Sequence, residues 1–530
     1  MIALRTERRA ALGYACGMLL WAGGALAQTP GQSTPPVQHF DVLEYRVLGN
    51  TVLPVPDVER AVYPHLGPNK SLEDVEAARS ALEQAYKTAG RGTVFVDIPE
   101  QDVNGGVIRL KVTEGRLNRV RVEGAKYTSA RDIREALPSA EPTTVPDLPA
   151  IQKEIATLNA ETRDRNVVPV LAAGPVPGTV DLTLKVSDNL ALHGSFEVND
   201  QYTADTSRLR AVASVSYDNL FNRFDSFSLQ YQTTPQELSE MGVFVASYTH
   251  RLDNGNRLAV YFVDSDSDVA SLGTLSVLGK GKVYGSRLIV PVLNTAASSH
   301  SFTFGADYKD FLESIQLDSD ASFQTPINYM NLSVGESSSW RAERLQVMLD
   351  TTANFGPRRG YNSDEEFADK RFKGRPNYFY VRASSAARYS LFKSLTVAFS
   401  VAGQYALEPI IGNEQFAIGG ADGVRGYLEA EELGDIGLKG SLQFETAPWS
   451  LMGGSLRTYA LAFFDAGRVS TIEPLPDEPR NTDLRSWGLG LNFAILEHFD
   501  ASLAWAYPLL TGNRTERGDS RLLFSVRASW

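Results

Sequence analysis

The sequence predicts a membrane β-barrel of about sixteen antiparallel strands preceded by two tandem α+β domains. Three observations predict it. The second half of the 530-residue chain is a succession of short segments in which apolar and polar residues alternate. The first half repeats one order of strand and helix at an offset of 75 residues. The chain opens on an export signal, yet holds no later run of 18 apolar residues that could cross a membrane as a helix.

The export signal comes first. Arg5, Arg8 and Arg9 precede an apolar stretch from Ala10 to Ala25, and Ala25-Leu26-Ala27 forms a small-residue cleavage site. This predicts a signal peptide over 1–27 and a mature chain beginning at Gln28. The single cysteine, Cys16, lies inside the signal, and Tyr14 is too bulky for a lipidation motif. The mature chain is therefore expected to be free of thiols in a compartment that would oxidise them. Removing the signal takes the net charge from −12 to −14, which argues against nucleic acid as a partner.

Residues 28–39 begin with a Pro/Gly/Ser-rich stretch and read as a linker. The first α+β domain is expected over 40–115. Tyr45–Asn50 reads as a strand running into a turn, followed by helical patterns over 56–66 and 71–89. In the second helix Leu72, Val75, Ala78, Leu82 and Ala85 share one face, with Ser71 as N-cap and Gly90 as the stop. Strands over 93–98 and 107–113 close the unit. The second domain, 116–190, repeats it: Val120-Arg-Val-Glu-Gly124 echoes Arg46–Gly49, and Val180–Val186 echoes Val107–Val112.

The barrel is expected over 191–530. In the last ten residues Leu522, Phe524, Val526, Ala528 and Trp530 fall on one face and Arg521, Leu523, Ser525, Arg527 and Ser529 on the other. Similar stripes run through Phe227/Leu229/Tyr231, Leu345/Val347/Leu349, Leu395/Val397/Phe399/Val401 and Leu438/Leu442/Phe444. A soluble sandwich also alternates, so strand count and loop lengths must decide. Sixteen strands begin near 191, 208, 225, 241, 256, 282, 299, 326, 341, 377, 394, 436, 456, 484, 499 and 521. Connections after even strands are tight, as at Asn222-Arg-Phe and Asp253-Asn-Gly. Those after odd strands are mostly long: 265–281, 310–325, 356–376, 407–435 and 470–483. Tight turns on one side and long loops on the other are the habit of membrane barrels. Phe524 and the terminal Trp530 fit the aromatic C-terminal signal of such barrels.

Two motifs carry the functional reading. The loop 407–435 contains Gly419-Gly-Ala-Asp-Gly-Val-Arg-Gly-Tyr427, with Val424, Arg425, Gly426 and Tyr427 at its end. The thirteenth strand contains Phe463-Phe-Asp-Ala-Gly467. A spacing of two puts Phe463, Asp465 and Gly467 on one face and Phe464 on the other. The face of Phe464 suits lipid, so Asp465 is expected in the lumen. Gly467 leaves room there for an incoming loop, and Arg425 is able to pair with the carboxylate through two hydrogen bonds.

With these residues the chain resembles the BamA-like superfamily of outer-membrane barrels with periplasmic POTRA modules. Val-Arg-Gly-Tyr matches its large sixth external loop, Phe-x-Asp-x-Gly a strand facing it, and the repeated units its POTRA modules. Two modules rather than three or five, together with Asp218–Asn222, Asp225–Tyr231 and Trp505–Leu509, resemble the two-partner secretion pores of TpsB type, the haemolysin-activator (ShlB/FhaC/HecB) family. The resemblance implies that loop 407–435 folds into the barrel and that Arg425 locks onto Asp465. It also implies POTRA modules that capture extended clients by strand addition. It implies a Gram-negative outer-membrane pore with its N-terminal domains in the periplasm, acting as a monomer. The partners are then outer-membrane lipid and a large secreted exoprotein, a TpsA-type adhesin or haemolysin-like toxin. One departure is expected: only about a dozen residues separate Gln28 from the first repeat, so a pore-plugging N-terminal helix is not.

An enzyme is not expected, nor any cofactor or metal. Gly279–Lys282 lacks P-loop spacing and the six histidines are scattered. Two other functions compete: an assembly or insertion factor of the BamA/TamA type, and a passive porin with an anchoring domain.

Overall fold

The computed structural model describes residues 38–530 apart from 104, 205, 268, 273–274, 296, 318–320, 358–361, 477 and 497. The expected signal peptide, all but the last two residues of the expected linker, and the question of an N-terminal helix lie outside the described residues. Among those residues no helix is long and apolar enough to cross a membrane. The chain divides into two compact units. One comprises the residues up to Arg121, Leu137–Ile155 and Pro169–Leu184; the other comprises Val122–Ala136, Ala156–Val168 and Lys185–Trp530.

The first module is built from β1 (Glu44–Leu48), α1 (Val55–Val62), α2 (Leu72–Thr88), β2 (Val94–Asp97) and β3 (Val107–Glu114). Its sheet has the order β1–β3–β2, parallel between β1 and β3 and antiparallel between β3 and β2. Val75, Ala78, Leu82 and Tyr86 are the buried residues of α2. Leu72, expected on that face, is 64% exposed, and Tyr86 takes the place expected for Ala85. The helix starts where the Asp74 carboxylate accepts the Ser71 N–H at 2.8 Å. It stops at Gly90, whose φ of +80° lets Arg91 N–H reach the Tyr86 carbonyl at 2.8 Å.

A second module follows: β4 (Arg116–Glu123), α3 (Ala130–Glu135), α4 (Leu148–Ala160), β5 (Arg165–Ala173) and β6 (Thr179–Asp188), with sheet order β4–β6–β5. The repeat has a stereochemical cause. Gly49 and Gly124 both adopt φ +89°, and a Cβ there would stand 2.4 Å from the Val112 oxygen and 2.3 Å from the Val186 oxygen. Only glycine lets each first strand turn this close to the closing strand. Two residues further along each closing strand a buried carboxylate caps the turn. Glu114 accepts from the Thr51 and Val52 amides, and Asp188 accepts from the Lys126, Tyr127 and Thr128 amides at 2.8–3.1 Å.

Sixteen further strands close into an antiparallel barrel. They are β7 (Leu192–Asn199), β8 (Arg210–Leu220), β9 (Asp225–Thr233), β10 (Gly242–Arg251), β11 (Arg257–Asp266), β12 (Gly281–Asn294), β13 (Ser298–Leu317) and β14 (Ala321–Arg341). There follow β15 (Leu345–Phe355), β16 (Phe379–Phe392), β17 (Leu395–Ala406), β18 (Ile436–Thr446), β19 (Leu456–Ser470), β20 (Asn481–Ile495), β21 (Phe499–Pro508) and β22 (Arg521–Ser529). Trp449–Leu451 prolongs β18 against β19. Strand starts fall within five residues of those expected.

Closure is made by β22 on β7, from Ser525 opposite Asn199 to Trp530 opposite Gly194. Of the expected loop 310–325, the described residues 310–317 and 321–325 are instead strand: β13 and β14 remain paired out to Leu317 and Ala321. Beyond the lipid no face has to be apolar, so alternation fades while the backbone ladder continues. Along β19 the two faces separate as expected, with Phe464 46% exposed and Asp465 fully buried.

Candidate functional site: an inward loop clasped on two walls

Residues 407–435, between β17 and β18, double back into the barrel. Phe416–Ile418 pairs antiparallel with Glu432–Gly434, so the loop is a short hairpin carrying a tip of residues 419–431. The tip is tight because it is glycine-rich. Gly419, Gly420 and Gly426 have φ values of +100°, +85° and +96°, a region costly for any side chain. A Cβ on Gly423 would stand 2.4 Å from the Gly419 oxygen.

The structure brings all seven expected loop and wall residues together. Arg425 donates through Nε to Asp465 Oδ2 at 2.7 Å and through Nη2 to Oδ1 at 2.8 Å, the two-pronged arrangement a guanidinium favours. Its backbone N–H adds a bond to Oδ2 at 3.1 Å. Nη1 donates to Gln443 Oε1 at 2.7 Å and Nη2 to Ser441 Oγ at 2.9 Å, both on β18. The guanidinium lies 3.5 Å from the centre of the Phe463 ring, whose face favours a cation.

Gly467 carries no side chain because Val424 occupies that space: a Cβ there would come within 3.0 Å of Val424 Cγ2. Val424 and Tyr427 are fully buried with Phe416, Ile418, Val469 and Leu484. The Tyr427 hydroxyl meets the Leu510 carbonyl at 2.7 Å and the Arg485 carbonyl at 3.0 Å. Phe524 and Trp530 lie elsewhere, at the closing seam. Phe524 N–H donates to Asp200 at 2.8 Å, and Trp530 exchanges two backbone bonds of 3.1 Å with Gly194.

Sequence reasoning missed the loop's other anchors. Glu414, almost wholly buried, accepts from Lys309 Nζ on β13 and from the Tyr329 and Tyr380 hydroxyls on β14 and β16. Asp435, at the loop's exit, accepts from the Ile410 and Ile472 amides at 3.2 and 2.7 Å and from Gln415 at 3.0 Å. Glu431 accepts from the Thr515 amide at 2.6 Å and its hydroxyl at 3.0 Å. The available signal was seven acids inside a loop that the Val-Arg-Gly-Tyr motif already places indoors, with nothing to single out these three. A buried acid needs donors, and only the folded wall shows them.

A closed sixteen-strand barrel, a loop gripped from its inner wall and α+β modules ahead of it define the class: outer-membrane pores with an N-terminal POTRA domain in the periplasm. The model of the ShlB-type POTRA domain matches residues 40–115. That of the haemolysin secretion/activation protein ShlB/FhaC/HecB matches residues 294–493. The chain belongs to this family, and it is an outer-membrane pore of two-partner secretion.

Among similar proteins, the outer membrane transporter CdiB of Dickeya dadantii is 23% identical over 78% of this chain and 73% of its own. The heme/hemopexin transporter protein HuxB of Haemophilus influenzae is 20% identical over 84% and 79%. Solved structures share the fold: CdiB from Escherichia coli has a TM-score of 0.60 at 19% identity, covering 95% of this chain and 93% of that one. BamA from Haemophilus ducreyi, lacking POTRA domains 1–3, has a TM-score of 0.57 at 14% identity, covering 93% and 100%. The named relatives are transporters.

Proposed function

We propose that the chain captures one large exported protein in extended form with its periplasmic modules, of which the second is also a POTRA domain. The barrel then conducts that protein outward as a monomeric pore, without catalysis of its own. The domain limits that follow are 40–115 and 116–190 for the modules and 191–530 for the barrel. The observation that carries this reading is the Arg425–Asp465 pair, a buried bidentate bond fixing a loop inside the lumen. A passive porin has no use for such a lock. A secretion pore must be closed at rest and cleared for its passenger, and a loop held chiefly by side-chain bonds, with few backbone bonds to the wall, is able to do both.

The passenger is an adhesin- or toxin-like exoprotein that folds only outside, so that external folding supplies direction where no nucleotide is available. Phe524 and Trp530 serve the other end of the pore's life, as the C-terminal signal for its own insertion.

One observation favours a second reading, an insertion factor of the BamA type: the seam between β22 and β7 pairs over only six residues, Gly194–Asn199 against Ser525–Trp530, whereas the ladders on either side of it pair over eight. Deleting the chain separates the two. The secretion reading expects loss of one surface exoprotein, encoded beside this chain, with other outer-membrane barrels at normal levels. Depletion of many unrelated barrels would replace it with the insertion reading.

A further inference from the structure

Three side chains of metal-binding type, far apart in sequence, converge at His193. Asp164 follows α4, His193 opens β7 and Asp218 lies near the end of β8, all within one compact unit. Across the β7–β8 ladder His193 stands opposite Ser216, so Asp218, two residues on, shares its face. His193 Nε2 lies 3.0 Å from Asp164 Oδ1 and 3.7 Å from Asp218 Oδ2. One ligand atom from each residue lies within 4.8 Å of the others.

These separations have a meaning in coordination chemistry. A tetrahedral zinc ion bonded at 2.0–2.1 Å holds its ligand atoms about 3.3 Å from one another. The separations of 3.0 and 3.7 Å fall on either side of that value. The carboxylates are also held from behind. The Ser226 hydroxyl donates to Asp218 Oδ1 at 2.6 Å, and the Thr162 hydroxyl lies 3.3 Å from Asp164 Oδ2. Such outer bonds orient the ligands of known metal sites. Arg163 approaches Asp218 at 3.9 Å, on a side chain 70% exposed that can turn out to water.

We propose that Asp164, His193 and Asp218 bind one divalent transition-metal cation, with zinc as the natural occupant. An imidazole nitrogen with two carboxylate oxygens suits zinc, whereas calcium and magnesium favour oxygen-only cages. Three protein ligands leave a fourth position for water. Bound there, the ion ties the segment after α4 to the first two barrel strands.

The test is zinc titration of the full chain in detergent at pH 7, in competition with a chromophoric zinc chelator. The expected result is one tightly held equivalent, lost in His193→Ala and weakened about tenfold in Ser226→Ala. His250→Ala keeps it, since His250 pairs with Asp225 at 2.9 Å instead. If His193→Ala does not fold, Asp218→Asn, which keeps the side chain's volume, is expected to weaken binding at least about tenfold. No stoichiometric zinc in the wild type, or an equivalent retained in folded His193→Ala, overturns the proposal. Zinc uptake is read without any export, so its outcome is independent of the secretion reading.

Discussion

At the scale of single residues the Arg425 clasp is the point of greatest consequence. Asp465 is fully buried, and its charge is met by the guanidinium together with the Arg425 amide. Arg425→Ala leaves that carboxylate uncompensated, at a cost of about 3–5 kcal/mol for a buried pair and less where lumen water reaches it. The expected outcome is export reduced at least tenfold at equal pore abundance, measured as surface exoprotein against barrel in the same membranes. Arg425→Lys is expected to recover little of it. An ammonium keeps the charge but cannot span Asp465, Gln443 and Ser441 at once. Normal export by Arg425→Ala and Asp465→Ala alike would remove the clasp from the mechanism. This part of the site was legible in sequence because both partners sit in short motifs with fixed spacing. Glu414 was not legible: Lys309, Tyr329 and Tyr380 lie 105, 85 and 34 residues away and form no local pattern.

At the scale of elements, that second grip makes its own prediction. Glu414→Gln keeps an acceptor for the tyrosines but removes the charge facing Lys309. The loop is then expected to leave the wall more readily. In planar bilayers the variant should open more often than the wild type, while its heat-modifiable migration still reports a folded barrel. Unchanged opening would mean that the Arg425 side alone holds the loop.

In the repeated modules the matching device is the carboxylate cap. Burial pushes the Glu114 carboxyl up, but the Thr51 hydroxyl and amide and the Val52 amide outweigh it and hold the group below its ordinary 4.5. Burial likewise opposes the Lys126, Tyr127 and Thr128 amides at Asp188, which hold it below 3.8. For groups depressed on folding, the stabilisation is fully present above the unfolded value and is lost as pH falls through the folded one. Hydrogen-exchange protection factors in 44–53 and 120–128, which divide out the intrinsic change of rate with pH, should therefore fall below about pH 4 in the full chain, and Glu114→Gln should remove that fall in the first segment. Equal acid sensitivity in that variant would assign the effect elsewhere. The glycines of this device were visible as a repeat. Its carboxylates were not, because Glu and Asp differ in length and only the fold shows that both reach the same turn.

At the scale of the whole molecule, the barrel was legible because lipid imposes alternation on every strand it touches. What lies beyond lipid was not, which is why β13 and β14 outrun their expected ends. Closure itself rests on the shortest argument. Between β22 and β7 the ladder runs over six residues, with Arg527 Nε on Glu197 at 2.8 Å along its inner face. Trp530 lies across Gly194, where a Cβ would meet the indole at 2.2 Å. Because Gly194 and Trp530 exchange two backbone bonds, the next pair, Ser195 and Ser529, is a non-hydrogen-bonded one. In such pairs the Cα atoms approach to about 4.5 Å, within the range a disulfide bridges. The only cysteine, Cys16, falls in the expected signal, so a Ser195→Cys/Ser529→Cys pair would have no competing thiol in the mature chain. A pore that passes its client along the lumen does not need this seam to part. The oxidised double variant is therefore expected to export its exoprotein at the wild-type level, and reduction should change nothing. Export lost on oxidation and restored by reductant would show that the seam opens during transport, and would bring the mechanism close to that of an insertion factor.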